Sequence, residues 1–195
     1  MNAVRERARL FSKENTSGLY DSFHVRRGDF QYKNTRLDID QLYKKSQDQL
    51  SEGTTLFIAT DEKDKSFFDD LKSHYDVTFL DDYMHLLEGV NPNYYGMLDQ
   101  LIAYKGRVFF GTWFSTLSGY VNRMRGHYFA KHNLHEFEKG AFPSYYFFPD
   151  DKKFEMTKYM PVKLPIYMRE FPTSWRDIDK GIDELHSDQK SLEWR

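Results

Sequence analysis

The chain has no cysteine, which excludes disulfides and thiolate metal sites. It has no apolar run near the roughly 18 residues of a membrane helix, and no apolar signal core at its N-terminus. A soluble chain without membrane contact by this segment is therefore expected. It also lacks a large charge of either sign: the net charge is −2, so any polyanion site must be local. A general nucleic-acid binder, with its broad positive surface, does not fit that balance. Aromatic residues are not scarce. They make up 17% of the 195 residues, incompatible with disorder along the whole chain and sufficient for a sizeable core.

Hydrophobic patterning divides the chain at about residue 128. Before it, strand-like and helix-like stretches alternate, which implies an α/β fold with a parallel sheet and right-handed crossovers. A short amphipathic helix covers residues 1–12, and a first strand runs from Tyr20 to Arg26. Asp38 is placed to cap a helix to about Leu50, closed by Gly53. The run 54–59 is continuously apolar, as in a strand buried on both faces. Asp61 is expected to cap a helix to about His74, and residues 77–80 to form a third strand. Asp81 and Asp82 make a turn or cap. A helix from Tyr94 to Tyr104, a strand from Arg107 to Phe110, and a helix from Phe114 to Arg125 stopped by Gly126 complete the pattern. Residues 129–195 hold most of the six prolines and many aromatics. They form an aromatic-rich extension that ends in a helix near 176–186, and they wrap over the domain or meet another one.

Four clusters carry polar chemistry. The stretch from Phe23 to Phe30 reads FHVRRGDF, and Gly28 permits a sharp exit that crowds Arg26, Arg27 and Asp29 at the strand's end. Ligands of open α/β sheets sit at that end, and guanidinium forks suit a phosphate ester. A surface strand with salt-bridged arginines fits the same residues. Thr60-Asp61-Glu62 closes the next strand, where Asp61 caps a helix and also lines the crevice. Gly111 to Ser118 joins a strand to a helix whose first N–H groups, with the Ser115, Thr116 and Ser118 hydroxyls, suit an anion. Asp99 is either a solvated helix position or an acceptor directed at a donor pair such as N1–H and N2–H of guanine. The Asp-x-Asp pairs at 38–40 and 177–179 sit where helices start, so they are capping residues and no metal site is assigned. His85, His127, His132 and His135 have no trusted ligand spacing.

His24-Val25-Arg26-Arg27-Gly28-Asp29 resembles the His-x-Arg-Arg-x-Asp motif of the GDP-fucose-dependent protein O-fucosyltransferases and α1,6-fucosyltransferases. Ala59-Thr60-Asp61 resembles their second motif. Asp99, sixteen residues before Ser115 of the FGTWFSTLS stretch, resembles the third. The three motifs lie in order over residues 23–123. The resemblance implies that residues 1–128 are a Rossmann-like GDP-fucose-binding domain, the C-terminal half of a two-domain GT-B fold. It implies that Arg26 contacts the β-phosphate and is catalytic, that His24 and Asp99 touch the nucleoside, and that Ser115-Thr116-Leu117 holds phosphate. Arg27 and Asp29 are expected to support Arg26 by ion pairing. The other GT-B domain has no room in the 22 residues before the first motif, so a fragment or a reduced member is expected.

The function that follows is donor binding within an inverting, metal-independent fucosyltransferase, with GDP-fucose as donor substrate, no cofactor, and a protein or glycan acceptor. The alternative is a non-catalytic nucleotide-sugar-binding or protein-interaction domain. A secretory-pathway location follows from the family resemblance alone.

Overall fold

The computed structural model describes residues 1–11, 17–29, 36–113, 115–131, 143–147 and 156–158. Helix α1 (Asn2–Phe11) places Val4 and Ala8, one turn apart, on a buried stripe. Strand β1 (Asp21–Val25) precedes α2 (Ile39–Ser46) and β2 (Thr55–Thr60). A 3₁₀ helix (Lys65–Ser73) leads into β3 (Asp76–Thr78), and a second (Leu80–Leu86) leaves it. Helix α3 (Tyr95–Ala103) precedes β4 (Phe109–Thr112), and α4 (Thr116–Lys131) precedes β5 (Ser144–Phe147) and β6 (Met156–Lys158).

The strands form one sheet in the order β3-β2-β1-β4-β5-β6. The first five are parallel, and β6 pairs antiparallel to β5. This is an α/β sheet consistent with a Rossmann-like fold. The chain moves outward from β1 to β3, then resumes on the opposite side of β1 with β4. The carboxyl ends of β1 and β4 therefore flank the point where strand order reverses, the usual place for a ligand crevice.

Side-chain alternation builds a core on each face of the sheet. Phe57, Ala59, Phe109 and Tyr146 pack with α1, α3 and α4, while Phe23, Val25, Leu56, Ile58 and Phe110 pack with α2 and the first 3₁₀ helix. Phe23 meets Phe110 and Phe147 edge-on, with ring centroids 5.4 and 5.2 Å apart. Polar ties close the opposite end of the sheet. The buried Asp21 carboxylate accepts from Arg107 Nη2 at 2.7 Å and from the Val108 N–H at 3.0 Å. Arg125, fully buried, spends its guanidinium on the Ser144 hydroxyl and on the carbonyls of Tyr104, Gly106, Arg107 and Pro143.

Asp38 caps α2 as expected, accepting from the Gln41 N–H at 2.9 Å. Asp82 likewise accepts from the Phe79 N–H at 2.9 Å. Other expectations need correction. The helix expected from Asp61 begins only at Lys65, is 3₁₀, and is capped by Asp64. Gly126 does not stop α4, which runs on to Lys131, because a single helical glycine costs only about 1 kcal/mol and packing overrides it. Strand β4 extends to Thr112, two residues beyond the expected end. Within 129–195, two segments join the sheet as β5 and β6; Tyr146 and Phe147 are buried there. The expected helix near 176–186, the second Asp-x-Asp pair and His132 and His135 lie outside the described residues.

Candidate functional site

Strand β1 delivers two residue sets to two places. Phe23 and Val25 enter the core, whereas His24 points to the opposite face, 3% exposed, with Nδ1 2.7 Å from Ser118 Oγ of α4. Burial, the main cause, and the nearby Arg26 hold the His24 pKa down to about 3, despite the opposing Asp61 charge, so the imidazole is neutral. Beyond Val25 the chain leaves the sheet, and Arg26, Arg27 and Gly28 form a half-exposed turn.

That turn is organised by Asp61. Its Oδ1 accepts from the Arg27 N–H at 2.8 Å, and its Oδ2 from the Gly28 N–H at 2.9 Å. The same Oδ2 lies 2.9 Å from Arg26 Nη1. Burial alone would raise the Asp61 pKa, but the two backbone donors and the Arg26 guanidinium outweigh it and hold the carboxyl below its usual value. Gly28 is required by this geometry, because a Cβ there would collide with the Asp61 carboxylate. Capping a helix would have turned Asp61 inward along the chain; the late helix start leaves it free for the turn.

Each arginine has its own anchor. Arg26 Nη2 donates to the backbone carbonyl of Asp29 at 2.8 Å. Arg27 Nε donates to Glu62 Oε2 at 3.0 Å and its Nη1 to the Leu37 carbonyl at 2.9 Å. Its guanidinium lies 3.6 Å from the centre of the Phe67 ring. Arg36 donates back to the Gly28 carbonyl. The ion-pairing expectation is thus corrected among the described residues: Asp61 pairs with Arg26 and Glu62 with Arg27, and Asp29 supplies its carbonyl. The Arg26 side chain is the more exposed of the two, at 36% against 24% for Arg27, although Asp61 and the Asp29 carbonyl each hold one of its terminal nitrogens.

Across the switch point, α4 starts directly after β4. Ser115 is 5% exposed, its N–H bonds the Thr112 carbonyl at 3.2 Å, and its carbonyl accepts from the Gly119 N–H at 3.1 Å. Thr116 is exposed and Leu117 half-buried against the core. The first turn of a helix carries the partial positive end of its dipole. Thr112 Oγ1 donates to the His24 carbonyl and accepts from the Arg26 N–H, both at 2.9 Å.

Asp99 on α3 is half-buried, and burial above all, with Asp81 and against Lys65, raises its pKa to about 7. A fully solvated helix aspartate does not behave so. Lys65 lies beside it in charge terms, donating to the Glu62 carbonyl at 2.5 Å and standing 3.5 Å from Asp81 Oδ2.

The structure therefore brings Asp61 onto the turn of Arg26, Arg27 and Asp29, links that turn to Ser115 through Thr112, and buries His24 against Ser118. This end of the sheet carries a guanidinium, a helix N-terminus and the exposed Thr116, a set suited to an oxyanion such as a phosphate. Two contributors escaped the sequence reading, Arg36 and Phe67, and two more, Glu62 and Thr112, lay within its clusters without a role of their own. Glu62 adjoins a recognised motif and Thr112 ends an apolar strand, but Arg36 and Phe67 carry no local signal and are found only through the fold.

A parallel α/β sheet with an arginine turn and a helix start at its switch point is an architecture consistent with a Rossmann-like fold. The family model described as GDP-fucose protein O-fucosyltransferase matches residues 1–128, and the chain belongs to that family. A comparison with curated proteins finds no match.

Proposed function

We propose that residues 1–128 bind GDP-fucose as the donor half of an inverting, metal-independent fucosyltransferase of the GT-B type. The observation that carries this reading is the juxtaposition of Arg26 with the start of α4 at the carboxyl ends of β1 and β4. Arg26 would face the β-phosphate, with the Ser115-Thr116-Leu117 turn holding phosphate through backbone N–H groups and hydroxyls. Asp99 and His24 would meet the nucleoside. Asp99 would accept N1–H and N2–H of guanine as a carboxylate, and His24, with Nδ1 at Ser118, has Nε2 left for the ligand.

In this reaction an acceptor hydroxyl oxygen attacks the anomeric carbon from the face opposite the diphosphate. The bond from that carbon to the β-phosphate oxygen breaks, GDP departs with the electron pair, and the acceptor hydroxyl gives up its proton to solvent. Negative charge grows on the departing oxygen, and a preorganised guanidinium stabilises that change most when its position is already fixed. Arg26 has that property: Asp61 holds Nη1, the Asp29 carbonyl holds Nη2, and Thr112 holds its backbone N–H. A protein hydroxyl is the acceptor class the family description names.

Thermal melting with a nucleotide panel tests the reading. GDP and GDP-fucose are expected to raise the melting temperature, and ADP, UDP and UDP-glucose to leave it unchanged. Equal shifts with all, or none with GDP, contradict it.

A further inference from the structure

Thr112 ends β4 and is 6% exposed. The backbone register between β1 and β4 stops at His24 and Gly111. At that point the Thr112 side chain takes over: its Oγ1 donates to the His24 carbonyl, and beyond the register it accepts from the Arg26 N–H, both at 2.9 Å. The Thr112 carbonyl in turn accepts from the Ser115 N–H at 3.2 Å. One residue thus ties the exit of β1 to the entry of α4, the two elements that flank the crevice. A hydroxyl is the right group for this task, because it donates and accepts at once within a site closed to water. Its methyl is tolerated at the end of a buried strand. Valine has the same shape but would leave the part-buried Arg26 N–H without its acceptor and take the hydroxyl donor away from the His24 carbonyl.

We infer that Thr112 is a positioning residue for the donor, fixing Arg26 relative to the Ser115 turn so that both engage one diphosphate. This rests on the donor-site reading above. It differs from a general structural role in what it predicts: the loss should fall on the phosphate that Arg26 holds and spare the rest of the nucleotide.

The test compares GDP with GMP, which lacks the β-phosphate, by calorimetry on the full chain. In Thr112→Val the GDP affinity is expected to fall roughly tenfold, and GMP affinity by much less, so the GDP/GMP preference shrinks. Thr112→Ser, which keeps the hydroxyl, should restore the preference to near its original value. If the valine variant does not fold, Thr112→Cys keeps the volume with a weak donor and should shift the preference in the same direction. An unchanged GDP/GMP preference in the variants overturns the positioning role of Thr112 while leaving the donor site standing. Absence of GDP binding by the unaltered protein overturns the donor reading, and this role with it.

Discussion

The guanidinium of Arg26 lies 2.9 Å from the Asp61 carboxylate, and that carboxylate also receives the two backbone N–H groups that follow Arg26. A single side chain therefore sets both the turn and the cation it presents. Asp61→Ala removes the acceptor from two N–H groups and a guanidinium, which is expected to cost about 1–3 kcal/mol of stability. Gly28→Ala is expected to destabilise as well, since its Cβ would displace the carboxylate. Urea unfolding of both variants measures this. Unchanged midpoints would mean that the turn is held by something other than Asp61.

Arg26→Lys separates a fork from a point charge. Losing one charge-assisted contact to phosphate should weaken GDP binding by about 1.5–3 kcal/mol, or roughly 10- to 150-fold. An ammonium cannot bond Asp61 and the Asp29 carbonyl while also reaching a phosphate, so lysine should behave nearly as poorly as alanine. Calorimetric titration with GDP checks it, and a lysine variant of full affinity would remove Arg26 from the phosphate.

The turn that carries Arg26 and the first four strands were legible because apolar runs and flanking turn residues are short-range signals. Asp61 was recognised, but the helix cap expected of it belongs to Asp64. Thr-Asp-Glu after a strand fits a helix cap, and only tertiary contact shows that the helix waits until Asp64 has capped it. The division near residue 128 followed a change in composition, yet Tyr146 and Phe147 lie in the sheet, placed there by pairing with distant β4. Arg36 and Phe67 reach the arginine turn through packing that no spacing in the sequence encodes.

Asp99 should make GDP binding depend on pH. Its pKa is raised to about 7, so part of the population is protonated at neutral pH and cannot accept both guanine donors. Affinity is expected to rise as pH increases from about 6 to 8. The nucleotide phosphate also titrates near pH 6, so Asp99→Asn is the control that isolates the carboxyl. The same raised pKa means that the stability Asp99 contributes is fully present below the usual carboxylate range and lost as pH rises through about 7. Melting without ligand should therefore show a falling Asp99-dependent component between about pH 4 and 7. A pH profile identical in Asp99→Asn would show that Asp99 neither titrates there nor reads the base.

His24 has the opposite sign. Its pKa is depressed from 6.5 to about 3 by burial, so the stability it contributes is present above about 6.5 and lost as pH falls toward 3. Protonation would charge a buried ring bonded to Ser118, at an eventual cost on the order of a few kcal/mol. His24→Gln is expected to lower stability at pH 7.5 and to flatten the acid limb between pH 6.5 and 4. Melting temperatures across that range decide it: an acid limb as steep in the variant as in the original would assign the acid sensitivity elsewhere.

The central claim is that arginine and a helix start hold the diphosphate, and titration of GDP in the presence of a chelator tests it most directly. GDP is expected to bind with the same affinity in EDTA as in manganese, and Arg26→Lys to weaken that binding roughly 10- to 150-fold in both. Affinity that vanishes in EDTA and returns with manganese, or survives intact in Arg26→Lys, would contradict it.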